Sequence, residues 1–155
     1  MLCIQKLNST TVASFMSWRC TDPYMRQVLE REIMRHDRGM GVIFIAKAEE
    51  NIVGTAQLVC SHRDRELADG ETIGCLQGLE VDCQYRKQGI ATSLISCVEQ
   101  AALSRQFEYL SVMVELDNVP AINLYQKLGF REFKRSLDYW KNQQYPVICL
   151  SKPIF

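Results

Sequence analysis

Gln84-Tyr85-Arg86-Lys87-Gln88-Gly89-Ile90-Ala91 joins an apolar, strand-like run (Leu76 to Val81) to an apolar-periodic stretch (Ile90 to Leu103). Strand, short glycine-bearing turn, then helix is a geometry that presents backbone N–H groups to a phosphate. The first N–H groups of a helix have no partner inside it, and the peptide dipoles add up at that end. A glycine at 89 lets a ligand approach the main chain, and Ala91 keeps the first helical turn slim. Taken alone, Arg86–Ala91 reads equally well as a plain strand-to-helix turn with two exposed basic residues. Its setting favours a phosphate-bearing ligand.

Outward from this turn, the chain alternates strand and helix signals. Residues 1–7 predict a first strand, and Ser9-Thr10-Thr11 supplies helix caps before Val12, Phe15 and Met16. Asp22-Pro23 predicts a second helix with Asp22 as N-cap and Pro23 at its first position. Met25, Val28, Leu29, Glu32 and Ile33 fall at helical spacing, and Gly39 and Gly41 end it. Val42–Ala46 and Ile52–Val59 read as strands around the turn Glu49-Glu50-Asn51. His62 to Glu71 is polar and charged and reads as a loop. Ile73 to Val81 reads as a strand whose apolar phase slips at Gly78, a bulge signal.

Beyond the turn, Ile90, Leu94, Ile95, Val98, Ala101 and Ala102 form a helical stripe. Leu110, Val112, Val114 and Leu116 then alternate with Ser111, Met113 and Glu115 as a strand. Pro120 opens a short helix that Gly129 closes. Phe130–Trp140 and Tyr145–Leu150 read as closing strands around Lys141-Asn142-Gln143-Gln144. The order β-α-α-β-β-β-α-β-α-β-β predicts an α/β (α+β) fold with a mixed sheet.

With 155 residues, a single domain spanning 1–155 is expected. Lys+Arg and Asp+Glu are both 18, so no global field selects nucleic acid or a membrane surface, and phosphate binding must come from local geometry. Seven cysteines, an odd number with no C-x-x-C pair, argue against a disulfide framework and a zinc site and favour a reducing, cytoplasmic setting. No His/Cys/Asp cluster has metal-ligand spacing. No secretory signal is apparent, and no apolar run approaches the ~20 residues of a membrane span. His36, within Arg35-His36-Asp37-Arg38, reads as solvated. His62 opens the charged loop.

A second segment carries chemistry: Asn118-Val119-Pro120-Ala121-Ile122-Asn123-Leu124-Tyr125-Gln126-Lys127-Leu128-Gly129-Phe130. Pro120 disfavours helical geometry at Val119, which puts Asn118 outside the helix proper. Its amide either binds a ligand or closes a turn on its own backbone. Tyr125 shares i, i+3, i+4, i+7 spacing with Ala121, Leu124 and Leu128, so it reads as a core aromatic or as a reactive phenol.

The chain resembles the GNAT (GCN5-related N-acetyltransferase) superfamily. The resemblance rests on Leu79-Glu80-Val81, the Q/R-x-x-G-x-G/A turn (Arg86, Gly89, Ala91) and Asn118…Leu124-Tyr125…Gly129-Phe130. These stand in the family's order and spacing over about residues 73–131. It implies a mixed, mostly antiparallel seven-stranded sheet with a splayed central strand pair, flanked by about four helices. It implies direct acetyl transfer from acetyl-CoA to a primary amine of a small molecule or peptide, with no metal. The strand residues Leu79, Glu80 and Val81 would hold the pantetheine arm and thioester carbonyl. Backbone groups of Lys87, Gln88, Gly89, Ile90, Ala91 and Thr92 would take the pyrophosphate, with Arg86 and Lys87 adding charge unless Lys87 is merely solvated. Asn118 and Tyr125 would complete the cofactor contacts, and Tyr125 would act as general acid on the leaving thiolate. The family includes dimers, so a homodimer is compatible with the resemblance.

The general base is the weak point. The strand positions where relatives carry one hold Cys75, Gln77 and Met113. Glu80 and Glu115 are the nearby carboxylates, each otherwise a solvated strand-end group, and a water chain is the alternative. A non-catalytic acyl-CoA-binding or regulatory domain of the same fold is the competing expectation. A nucleotide-binding enzyme of another class is disfavoured, because G-x-x-x-x-G-K-S/T and G-x-G-x-x-G are both absent. The acceptor depends on the first two helices, the His62–Glu71 loop and the last hairpin.

Overall fold

The computed structural model describes Met1 to Phe155. Seven strands form one mixed sheet in the order β1-β2-β3-β4-β5-β7-β6. In chain order the elements are β1 (Leu2–Lys6), α1 (Val12–Arg19), α2 (Pro23–Asp37), β2 (Gly41–Ala48), β3 (Asn51–Val59), β4 (Ile73–Val81), α3 (Ile90–Ser104), β5 (Tyr109–Glu115), α4 (Val119–Lys127), β6 (Arg131–Trp140) and β7 (Gln143–Pro153). One 3₁₀ turn, Cys83–Tyr85, lies between β4 and α3 and has no periodic signal in the sequence. The expected element order, seven strands and four helices are all present. β1/β2, β2/β3, β5/β7 and β6/β7 pair antiparallel, whereas β4/β5 pair parallel. The parallel ladder covers only Ile73–Leu76 against Tyr109–Val112, although β4 continues to Val81. Gly78, where the apolar phase slips, lies in the stretch beyond the ladder and has φ +64, a left-handed backbone that glycine adopts without a Cβ penalty.

The chain groups into two compact units, Met1–Val59 with Gln77–Ala101, and Cys60–Leu76 with Ala102–Phe155. In the first, Phe15 of α1 and Leu29 of α2 pack with Leu7, Ile43, Ile45 and Ile52, and Met25 and Ile33 close the edge of this cluster. Asp22 caps α2 as expected, its carboxylate accepting the Met25 N–H at 2.8 Å. α1 begins differently. Thr11 is its N-cap but makes no side-chain cap bond; its hydroxyl accepts the Asn8 N–H at 3.0 Å and so closes the preceding turn. β3 is buried over eight consecutive residues, Ile52 to Val59, because both of its faces are covered. An added Cβ at Gly54 would meet Leu94 and Ile90 of α3 at 3.2 and 3.4 Å, so that helix lies directly on the strand. The β2/β3 register passes from Ala46↔Gly54 to Lys47↔Ile52 and leaves Val53 as a bulge. The Val53 carbonyl accepts the Asp82 N–H at 2.7 Å, which fastens the end of β4.

His36 is not solvated. Its Nδ1 accepts the Ile43 N–H at 3.0 Å, so its Nε2 carries the hydrogen and donates to the Leu7 carbonyl at 2.7 Å. The charged neighbours Arg35, Asp37 and Arg38 are exposed, while the ring itself joins α2 to two segments of the sheet region.

In the second unit, the polar segment His62–Glu71 is a loop that nevertheless buries Leu67 and Ala68. The Ser111 hydroxyl donates to the Leu67 carbonyl. Asp69 accepts the N–H groups of Glu71, Thr72 and Ile73 and so aligns the start of β4. The last hairpin is tighter than expected. Lys141 and Asn142 alone form the turn, at φ +49 and +65, and Gln143 and Gln144 already pair with Trp140 and Tyr139. That left-handed pair matches a two-residue turn whose twist suits the strands.

Candidate functional site

In the first unit, β4 ends at Val81 and the chain turns through Cys83–Tyr85 into α3. Leu79 is half-buried, Glu80 is exposed and Val81 is buried. Asp82 caps the 3₁₀ turn with its carboxylate, and its carbonyl accepts the Tyr85 N–H at 2.8 Å. Arg86 Nε donates to the Val81 carbonyl at 3.0 Å, so Arg86 staples the strand end to the turn while its side chain remains at the surface. Lys87 and Gly89 both have left-handed backbone, φ +62 and +81, with Gln88 between them. Alternation of hand along a short run turns successive N–H groups toward one side and forms an anion-binding concavity. The Ser93 N–H bonds the Gly89 carbonyl at 3.0 Å as α3 begins. The N–H groups of Ile90, Ala91 and Thr92 precede that bond and belong to the unsatisfied first turn. Nothing lies within 4 Å of an added Cβ at Gly89, so the space above the turn is open.

A hollow of about 640 Å³ also lies in this unit, lined among others by Ser14, Ser17 and Trp18 of α1 and by Asp82, Gln84 and Tyr85. None of Arg86–Thr92 lines it.

In the second unit, Asn118 is the N-cap of α4. Its Oδ1 accepts the Ala121 N–H at 3.3 Å, so that oxygen is engaged by the helix and the Nδ2 group is what remains for a ligand. Tyr125 is 4% exposed and meets Phe130 edge to face, with ring centroids 5.5 Å apart. Lys152 donates to the Leu128 carbonyl at the end of α4 and lies over the Phe130 ring. Burial, with a smaller contribution from Cys75, pushes the Tyr125 phenol well above its ordinary range. The group is therefore neutral and holds its proton at pH 7. Glu115 is exposed at the end of β5, beside a hollow of about 260 Å³ shared with Asp117 and Tyr145. No group of three or more His, Cys, Asp and Glu is placed to hold a metal ion.

The profile of the acetyltransferase (GNAT) family matches residues 9–130. The chain belongs to this family. It is 29% identical over 115 residues to streptothricin acetyltransferase of Escherichia coli, covering 74% of this chain and 60% of that protein. It is also 29% identical over 100 residues to N-alpha-acetyltransferase 30 of Schizosaccharomyces pombe, covering 64% of this chain and 63% of that one. The chain thus spans somewhat under two thirds of these relatives' length. A structure of yncA from Salmonella typhimurium with its cofactor acetyl-CoA has the same fold, with TM-score 0.77, 12% identity and coverage of 99% of this chain and 94% of that one.

The GNAT chain also holds polar residues that its sequence motifs do not flag. Glu80 is paired with Arg19, the last residue of α1. Gln57 of β3 is a buried amide, 7% exposed. It hydrogen-bonds Glu32 of α2, whose carboxyl is pushed up by burial against the opposing pull of Gln57, Arg19, Arg35 and Arg31. An added Cβ at Gly78 would meet Gln57 Nε2 at 2.9 Å and Arg19 Nη2 at 3.7 Å. The one sequence signal for this cluster is a glutamine at position 57, inside a strand that is otherwise almost wholly apolar.

Proposed function

We propose that this chain is an acetyl-CoA-dependent N-acetyltransferase, acting as one domain over 1–155. The observation that supports this most directly is the Arg86–Thr92 turn, with left-handed Lys87 and Gly89, open space above Gly89 and the unsatisfied first turn of α3. Such a turn suits a pyrophosphate, held by N–H groups from Lys87 to Thr92 and by the helix dipole. Arg86 and Lys87 add positive charge. The backbone of Leu79, Glu80 and Val81 is assigned to the pantetheine arm and the thioester carbonyl, with the Val81 N–H as donor to the developing oxyanion. Asn118 contributes its Nδ2 group.

In the reaction, the neutral acceptor nitrogen attacks the thioester carbonyl carbon. A C–N bond forms, the C–S bond breaks, the nitrogen loses a proton and the departing sulfur gains one. Tyr125 is assigned the second proton. At ordinary values, near ~10 for a phenol and ~8.5 for a thiol, that transfer is uphill by roughly 2 kcal/mol. Burial of Tyr125 steepens it, so the assignment needs a thiolate that is itself desolvated and made more basic. For the first proton, Glu80 is already engaged by Arg19 and Glu115 is a surface group. A water chain therefore stands beside them as the route.

The acceptor is a primary amine of a small molecule or peptide. One named relative is a streptothricin acetyltransferase and the other an N-alpha-acetyltransferase, names that span that range. Seven free cysteines fit a reducing, cytoplasmic setting. A homodimer is compatible with the family, and sedimentation analysis tests it. The decisive experiment is CoA-thiol release from acetyl-CoA over a panel of amines and peptides. Amine-dependent release is expected. CoA binding with no acetylation of any amine would leave a non-catalytic acyl-CoA-binding domain instead.

A further inference from the structure

We infer that the Arg19–Glu80 pair, braced by Gln57 and Glu32 at the Gly78 bend of β4, is the acceptor-recognition element of this enzyme. It selects a singly charged amine with a carbonyl or carboxylate next to its nitrogen and disfavours polyamines. The inference rests on the acetyltransferase reading above and deepens it by naming the acceptor class.

The geometry carries the argument. All these residues lie in the first unit, and they come from α1, α2, β3 and β4. Glu80 belongs to the strand run assigned to the thioester, so its partner Arg19 stands beside the position where the acceptor nitrogen must arrive. Both side chains reach solvent, Arg19 at 20% and Glu80 at 47% exposure, so a solute can compete for either. Beside them, Gln57 is buried and Glu32 is partly buried. A surface ion pair alone contributes little to stability. A buried amide on β3 that meets a partly buried carboxyl of α2, where leucines would pack better, calls for another purpose.

The chemistry follows from charge and shape. Three guanidinium groups, Arg19, Arg35 and Arg31, act on Glu32, and Arg19 also pairs with Glu80, so three cations face two carboxylates. The local balance is therefore positive. A positive surround lowers the pKa of an incoming amine and favours its neutral, nucleophilic form. It thereby does part of the work for which no dedicated base is evident. The same charge repels a second or third ammonium, which works against polyamines. The planar fork of Arg19 suits a carbonyl or carboxylate oxygen, while Glu80 accepts a hydrogen bond from the adjacent nitrogen. An α-amine of a peptide or amino acid meets both requirements. It also starts from a pKa near ~8, against ~10.4 for a lysine-like amine.

The test measures acceptor kinetics with the tripeptide Ala-Ala-Ala, free alanine and spermidine, using wild type, Arg19→Met, Arg19→Lys and Glu32→Gln. Wild type should prefer the tripeptide or alanine over spermidine by at least about tenfold in kcat/KM. Arg19→Met should raise KM for the preferred acceptor about tenfold and leave KM for acetyl-CoA within about twofold. Arg19→Lys should recover only part of the loss, because the charge returns without the fork. Glu32→Gln retains a partner for Gln57 and shows whether the brace needs a carboxyl; a smaller rise in acceptor KM than for Arg19→Met is expected. Preference for spermidine, or an acceptor KM that Arg19→Met and Arg19→Lys both leave unchanged, overturns the inference while acetyl transfer stands. Amine-dependent release with none of the three acceptors also overturns it. Failure to bind acetyl-CoA at all, read separately by calorimetry, brings down the acetyltransferase reading with it.

Discussion

The two units offer chemistry in opposite ways. The first presents main chain: at Lys87–Thr92 the backbone is left-handed twice, the helix start is unsatisfied and the space above Gly89 is open. The second presents a side chain: Tyr125 is buried against Phe130, and the start of its helix is closed by Asn118 on its own backbone. Both segments open a helix, yet one leaves its first N–H groups unsatisfied and the other satisfies one of them internally. A glycine motif is thus an address for a bound anion, whereas a tyrosine on an apolar stripe is first a packing residue and only then a proton donor.

The contrast predicts distinct failures. The largest effect is expected from Gly89→Glu, which should abolish measurable acetyl-CoA binding by placing a carboxylate where the pyrophosphate belongs. Because no atom lies near an added Cβ there, the fold loses only about 1 kcal/mol for the left-handed backbone. Calorimetric titration showing intact affinity would remove the turn from the donor site. Next comes Tyr125→Phe, expected to lower kcat about a hundredfold while acetyl-CoA affinity and melting temperature stay nearly unchanged. The ring would still pack on Phe130. An unaltered kcat with a competent acceptor would leave Tyr125 a core aromatic alone.

Asn118→Ala should cost about 1 kcal/mol in denaturant unfolding through loss of the cap, and about as much in acetyl-CoA affinity through loss of the Nδ2 contact. A loss of acetyl-CoA affinity larger than that would mean that its Nδ2 group matters more than its Oδ1. The smallest effects are those of pH on stability, and the units should titrate with opposite sign. The Glu32 carboxyl is held above its unfolded value, chiefly by burial. Its contribution is fully present below about pH 4.3 and declines as pH rises through the folded value. In the second unit, the Lys134 ammonium holds Asp64 below the ordinary range. Burial pushes Asp69 up, but N–H groups of Ile73, Glu71 and Thr72 outweigh it and the net shift is down. Those contributions are present above about pH 3.9 and are lost as pH falls through the folded values. Melting temperatures from pH 3 to 8 should therefore show Glu32→Gln flattening the limb above about pH 4.3 and Asp69→Asn flattening the acid limb. The same slope in Glu32→Gln as in wild type would mean that Glu32 is not withdrawn from water.

Much of the fold was legible because its signals are local. The stripe from Ile90 to Ala102 repeats at helical spacing, and Asp22-Pro23 marks a helix start within two residues. Gly78 betrays its bend by a slip of phase. The misreadings have equally physical causes. His36 is surrounded in sequence by charges, but its two hydrogen bonds go to Leu7 and Ile43, which no neighbour along the chain announces. Lys141 and Asn142 adopt left-handed backbone without a glycine, so the hairpin looked longer than it is. The sequence left the Asn118 amide open between a ligand and its own backbone, and its Oδ1 is engaged by the helix it precedes.

Sequence by itself determined the order of elements, the turn that suits a phosphate and the family, because each is written in short-range spacing, turn chemistry and backbone preference. Tertiary structure alone decided which polar groups meet. Arg19 and Glu80 are 61 positions apart, and Glu32 and Gln57 lie on different elements, so no periodicity links them. They are brought together because the apolar faces of α1 and α2 pack on the sheet and carry their polar ends with them. What the turn suits could thus be read from residues in a row. The neighbouring cluster is made of charges that only folding gathers.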